Sequence, residues 1–138
     1  MYSWIVGNFV RLVFARLNRG DVRLVLFLFA PDAHFVFGGS SSFAADLHDH
    51  ASIERWFRRF VELRPHFEIH DVVAAGPPWN LRVCTRFTDH IPYPDGAGTM
   101  HNPGMQYLRI RWGRVREDRI HVDTELVADF DARLAAVR

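Results

Sequence analysis

Residues 67–89, FEIHDVVAAGPPWNLRVCTRFTD, set the rhythm from which the rest of the chain is read. Leu81, Val83 and Phe87 alternate with Arg82, Cys84 and Arg86, the period of two that sends successive side chains to opposite faces of a strand. Gly76, Pro77 and Pro78 break the run, because proline removes a backbone donor and glycine permits a tight turn. Phe67 to Ala75 and Trp79 to Asp89 therefore read as the arms of a long antiparallel hairpin.

Downstream, Ile91 to Pro103 holds three prolines and two glycines and reads as a flexible rim. Met105 to Trp112 and Val115 to Asp123 form a second antiparallel pair joined at Gly113, and Thr124 to Val137 resumes a helical pattern through Leu126, Val127, Phe130 and Leu134. Upstream, Ile53, Trp56, Phe57 and Phe60 recur at three and four spacings. That pattern predicts a helix over His50 to Leu63 with Asp49 as its N-cap and Pro65 at its end. Ala33 to Phe37 is aromatic and β-branched and predicts a first strand. Gly38, Gly39 and three serines follow it as a mobile loop with the makings of a lid. Residues 2–18 carry Trp4, Ile5, Phe9, Leu12, Val13 and Leu17 at helical spacing, Gly20 and Asp21 punctuate, and a second short helix runs through Leu28 to Pro31.

Helices first and antiparallel strands later is the α+β pattern. The expectation is one domain over residues 1–138, a curved antiparallel sheet packed against the N-terminal helices around an apolar pocket. A chain of 138 residues with 49% hydrophobic and 24% charged side chains is large enough to bury such a core without staples.

Composition excludes several chemistries. All 17 basic side chains are arginine, so no lysine serves a Schiff base, a phosphate loop or a pyridoxal cofactor. The net charge is +1 with both signs interleaved, which argues against a nucleic-acid partner. Cys84 is the single cysteine, so there is no internal disulfide and no cysteine-rich zinc site, and a reducing cytoplasm is the expected compartment. The apolar runs Trp4–Val10 and Leu24–Ala30 are too short to span a bilayer and lack the flanks of a secretory signal, so no membrane partner is expected.

LNRGD at 17–21, FAPDAHFVF at 29–37, IERWFRRF at 53–60, GPPWNLRV at 76–83 and RWGRVREDRIHVDTELV at 111–127 follow one another in an order that resembles the nuclear-transport-factor-2-like superfamily, in its SnoaL-like and ketosteroid-isomerase-like group. The resemblance implies a cystatin-like α+β roll with a ligand cavity. It makes Asp123 the counterpart of the acid/base aspartate of SnoaL-like cyclases. Phe37 stands where ketosteroid isomerases carry their base, Gln106 near their oxyanion-binding carboxyl and Val13 near their tyrosine. Against epoxide-hydrolase-like members, Asp123 and Arg86 match part of an Asp-Arg-Asp set, with Thr88 where a second aspartate would stand.

Asp123 reads either as a general base with a raised pKa or as the N-cap of the last helix. His121 shares its strand parity and is its candidate partner, though the same parity serves an exposed face. Gln106 alternates with Leu108 and Ile110 and is a candidate substrate donor or a solvated strand-end residue. Asn102 either reaches the pocket mouth or makes an Asx-turn before Pro103. Phe37, Trp56 and Phe60 read as core or cavity wall. For His48, Asp49 and His50, capping by Asp49 beside two solvated histidines is preferred to a metal site, because no third ligand has a suitable spacing. Arg82 and Arg86 mark an outer sheet face for a second copy of the chain.

Two functions are expected. One is a cofactor-independent isomerase or cyclase moving a proton on a small apolar carbonyl compound, with an epoxide-hydrolase-like enzyme as a variant. The other is a non-catalytic ligand-binding or dimerisation domain.

Overall fold

The computed structural model describes residues 2–138. Helix α1 (Tyr2–Asn18) buries Val10, Phe14 and Leu17 on one face. It ends where the amide of Gly20 donates to the Leu17 carbonyl and that of Asp21 to the Arg16 carbonyl, a closure that needs the left-handed φ of +76° at Gly20. Asp21 then accepts the Arg23 amide at 3.0 Å and starts α2 (Arg23–Leu28). Asp49 caps α3 (His50–Val61) by accepting the Ser52 amide, and α3 buries Ile53, Trp56, Phe57 and Phe60. The final helix is α4 (Thr124–Ala136).

Six strands, β1 (Phe29–Phe37), β2 (Ala45–Leu47), β3 (His66–Ala75), β4 (Leu81–Pro92), β5 (Thr99–Arg111) and β6 (Arg114–Val122), form one curved, unclosed sheet in the order β2-β1-β6-β5-β4-β3. Four of its pairings are antiparallel, as expected, and β1 runs parallel to β6. The inner faces of β4, β5 and β6 and the helices enclose the core.

Several boundaries differ from the sequence reading, each for a local reason. Strand β1 starts at Phe29 and carries Pro31 across a register shift between Phe29 and His34, the kind of site where a strand tolerates proline. The expected rim at 91–103 shrinks to the turn between β4 and β5. Pro103 lies inside β5, one residue beyond Gly104, the last β5 position paired with β6, so β5 has no neighbour to hydrogen-bond on that side. The serine-rich loop is tied down. Ser42 donates through its amide and hydroxyl to Asp131 of α4 at 2.7 and 2.6 Å, and Arg59 of α3 donates to the Ser42 carbonyl at 2.7 Å. Helix α1 is pinned to β3 by Asn18, whose carboxamide donates to the Phe67 carbonyl at 3.1 Å and accepts its amide at 2.7 Å.

Candidate functional site

Between the inner sheet face and α1, α3 and α4 lies a cavity of about 100 Å³. Its wall is aromatic and aliphatic, with Phe14, Phe37, Trp56 and Phe60 among the lining side chains. The indole Nε1 of Trp56 donates to the Phe43 carbonyl at 2.8 Å, which satisfies its one polar atom, and its ring stacks on Phe60 in the wall with centroids 5.0 Å apart.

Four polar side chains interrupt this wall: Asp89 on β4, Asn102 and Gln106 on β5, and Asp118 on β6. Strand pairing explains their meeting. Asp89 stands opposite Asn102 and Leu108 opposite Asp118, while Gln106 stands opposite the buried Thr85. Between the Asp89–Asn102 pair and the Thr85–Gln106 pair comes Phe87 opposite Gly104, and the Phe87 ring occupies the space a Cβ on residue 104 would need. The polar groups therefore stand in two tiers separated by an aromatic ring.

Asp118 is closed to solvent, and its Oδ1 accepts a hydrogen bond from Gln106 Nε2 at 3.1 Å. Burial penalises the charged carboxylate and raises the Asp118 pKa to about 7, although the Gln106 bond pulls the other way. Burial also drives Asp89 well above the ordinary carboxylate range, and its Oδ1 lacks a hydrogen-bond partner. No arginine or histidine lines the cavity among the described residues, so neither acid meets a cation there. An acid near pKa 7 is divided between its two forms at neutral pH, as proton transfer in both directions requires. The same burial favours the protonated form of Asp89, in which it offers an O–H donor. The Gln106 carboxamide serves both states of Asp118: its N–H donates to the carboxylate, and after a flip its carbonyl accepts from the acid.

The residues singled out in the sequence separate into two groups. Phe37, Trp56, Asn102 and Gln106 all line the cavity. Asn102 makes no Asx-turn there; its Oδ1 accepts the Asp123 amide at 3.3 Å and ties β5 to the start of α4. Asp123 and His121 do not line the cavity. The Asp123 carboxylate is exposed and caps α4 by accepting the Leu126 amide at 3.1 Å. His121 stands opposite Met105 on the outer face. Arg86 is exposed on that outer face too, so the Asp-Arg-Asp set is not brought together. Val13 is part of the cavity wall.

Asp89 and Asp118 were missed, although both had a signal. Asp89 has the parity of Leu81, Val83 and Phe87, and Asp118 has the parity of Ile120 and Val122. Val115 has the opposite parity and blurred the pattern. A register shift between Arg109 and Ile110, facing Glu117 and Val115, brings both Val115 and Asp118 inward. His50 is not solvated: its Nε2 bonds to the Leu26 carbonyl at 2.7 Å.

No curated protein sequence matches the chain. Among solved structures it is similar to Bal32a from a soil-derived mobile gene cassette, at 20% identity over 95% of this chain and 99% of that one, with a TM-score of 0.73. It is also similar to an NTF2-like protein of unknown function from Burkholderia pseudomallei, at 19% identity over 88% and 93% of the two chains, TM-score 0.76. A third is TerC co-crystallised with polyporic acid, at 15% identity over 89% and 95%, TM-score 0.75. The model of the SnoaL-like domain matches residues 10–118, and the chain belongs to that family, within the NTF2-like superfamily.

Proposed function

We propose that the cavity binds a small, mainly apolar carbonyl compound and that Asp118 moves a proton on it without a cofactor, as an isomerase or cyclase does. The observation that carries this reading is the solvent-free Asp118 carboxyl, bonded to Gln106 and facing an apolar cavity without a cation. In the carboxylate form Asp118 removes a proton from the carbon next to the carbonyl. Negative charge then grows on the carbonyl oxygen, where the second N–H of the Gln106 carboxamide, in the same tier as Asp118, supplies a donor. The proton on Asp118 returns to another carbon, or the enolate carbon attacks a second carbonyl of the same compound and closes a ring, the alkoxide so formed taking the proton back from Asp118; in both cases no atom is gained or lost. A cavity of about 100 Å³ is smaller than the apolar cavity of about 150 Å³ that holds benzene, which favours a compound of a few carbons below the size of one six-membered ring. TerC, with polyporic acid in its co-crystal, supports an organic ligand in this fold.

Acetone in D2O is the test probe, with exchange of its α-protons followed by NMR. The native protein is expected to accelerate exchange, and Asp118→Asn to lose about a hundredfold or more of that acceleration while still binding the ketone in a thermal-shift titration. Exchange that is equally fast in Asp118→Asn would remove the assignment.

The second reading is a non-catalytic binding domain, favoured by how little of the wall is polar. In that case the ketone raises the melting temperature while its α-protons exchange at the background rate. The exposed outer face around Arg82, Arg86 and Met105 is proposed to pair with a second copy. Sedimentation of the native chain as a monomer would dismiss that pairing.

A further inference from the structure

On the edge of the sheet farthest from β3, two histidines and an aspartate converge. His34 is on β1, Asp46 on β2, and His48 directly follows β2. Val36 pairs with Asp46 and Phe35 with Leu47. Continuing that register by one residue sets His34 opposite His48, and period two puts both on the face of Asp46. The rings stack with centroids 4.2 Å apart and planes 15° from parallel. Each presents Nε2 to the same carboxylate oxygen: Asp46 Oδ1 is 2.6 Å from His34 and 3.1 Å from His48. The three ligand atoms lie within 4.8 Å of one another.

The geometry points to a divalent transition-metal site formed by His34, Asp46 and His48, with zinc as the ion its two imidazoles and one carboxylate suit best. Zinc sits about 2.0–2.2 Å from such ligands, which puts neighbouring ligand atoms about 3.3 Å apart in a tetrahedron. The Nε2 to Oδ1 distances need to open by about 0.7 Å at His34 and about 0.2 Å at His48, and the stacked rings have to turn out of parallel so that the ion lies in the plane of each; the exposed Asp46 and His48 side chains are free to yield. Each neutral ring coordinates through Nε2 once its proton has passed to Nδ1 through solvent, so neutral imidazoles release no net proton. The backbone ladder holds β1 and β2 in register beforehand, so that the three side chains start on one face, which lowers the ordering cost of binding. Three protein ligands leave one position for water or an anionic group.

The ion would hold a three-residue edge strand against β1. Phe43, two residues before β2, lines the cavity and carries the carbonyl that holds Trp56. Metal binding at the edge would thereby steady one wall of the cavity. Because the site lies on the outer face of the hairpin, it stands or falls independently of any proton transfer by Asp118.

The test uses the untagged full chain. Co2+ is titrated and followed by visible absorption, with Zn2+ competition and a thermal melt. Saturation at one Co2+ per chain is expected, with the intense bands of a four- or five-coordinate ion, reversal by Zn2+, and a higher melting temperature with Zn2+. His34→Ala and His48→Ala should each weaken binding by more than the roughly 10–100-fold that loss of an outer partner costs. His101→Ala, at the separate His90–His101 contact, should bind as the native chain does. His48 is exposed, so its variant keeps the test informative if His34→Ala folds poorly. Weak six-coordinate cobalt spectra without saturation, or undiminished binding in His48→Ala, would mean that the three side chains form an ion pair only.

Discussion

Gln106 on β5 and Asp118 on β6 join through one 3.1 Å hydrogen bond inside the protein, and Asp118 meets no cation in the cavity. That bond lowers the cost of a buried carboxylate without removing it, and the balance leaves Asp118 with a pKa of about 7.

Stability should therefore depend on pH with a definite sign. The folded-state pKa of Asp118 is raised from 3.8 to about 7, so the folded chain holds a proton that the unfolded chain has lost between those values. Stability falls as pH rises through that window, by a total on the order of 4 kcal/mol at about 1.4 kcal/mol per pH unit, and levels off above the folded pKa. Urea denaturation at pH 5 and pH 8 measures the change. Asp118→Asn should be more stable than the native chain at pH 8 and show a shallower slope. Some slope should persist, because Asp89 is raised in the same direction.

Asp123→Ala should separate the exposed aspartate from the buried ones. It removes the α4 cap and should cost about 1 kcal/mol of stability, with acetone exchange unaffected. A large loss of exchange at unchanged stability would return Asp123 to the site.

Gly104→Ala tests the ring between the two polar tiers. An added methyl collides with the Phe87 ring, which has to turn away. Overpacking of this kind costs about 1–3 kcal/mol, and Gly104→Ala combined with Phe87→Leu should recover part of it. Equal stability of native and Gly104→Ala chains in urea would mean that the ring has room to move.

Asn18→Ala should weaken the seam between α1 and β3, since it leaves the Phe67 amide and carbonyl without their side-chain partners. The expected loss is about 1–3 kcal/mol, accompanied by faster amide exchange at Phe67. Unchanged protection of that amide would show that the carboxamide is dispensable.

The fold was legible because its signals are local. Period two in β4, the Asp49 cap and the Gly20 closure each depend on residues close together in the chain. The site was only half legible. Gln106 lies on a strand whose alternation is clean and lines the cavity as its parity implies, whereas Asn102, read in a flexible rim as a pocket-mouth or Asx-turn residue, lines it because β5 reaches back to Thr99. Asp118 depends on a register shift near Val115, and its meeting with Gln106 depends on which strands pair. Asp123 misled because a carboxylate next to an apolar strand looks the same in sequence whether it turns inward or caps the next helix. His34 and Asp46 were hidden for a related reason: their partnership spans two strands and a loop.

The most direct measurement is the titration of aspartate side-chain carboxyl carbons by NMR in the native chain and in Asp118→Asn. A carboxyl with its midpoint near pH 7 should be present in the native chain and missing from Asp118→Asn. An Asp118 carboxyl that titrates near 4 would contradict the account, because it would mean that the side chain reaches water and does not face a dry cavity.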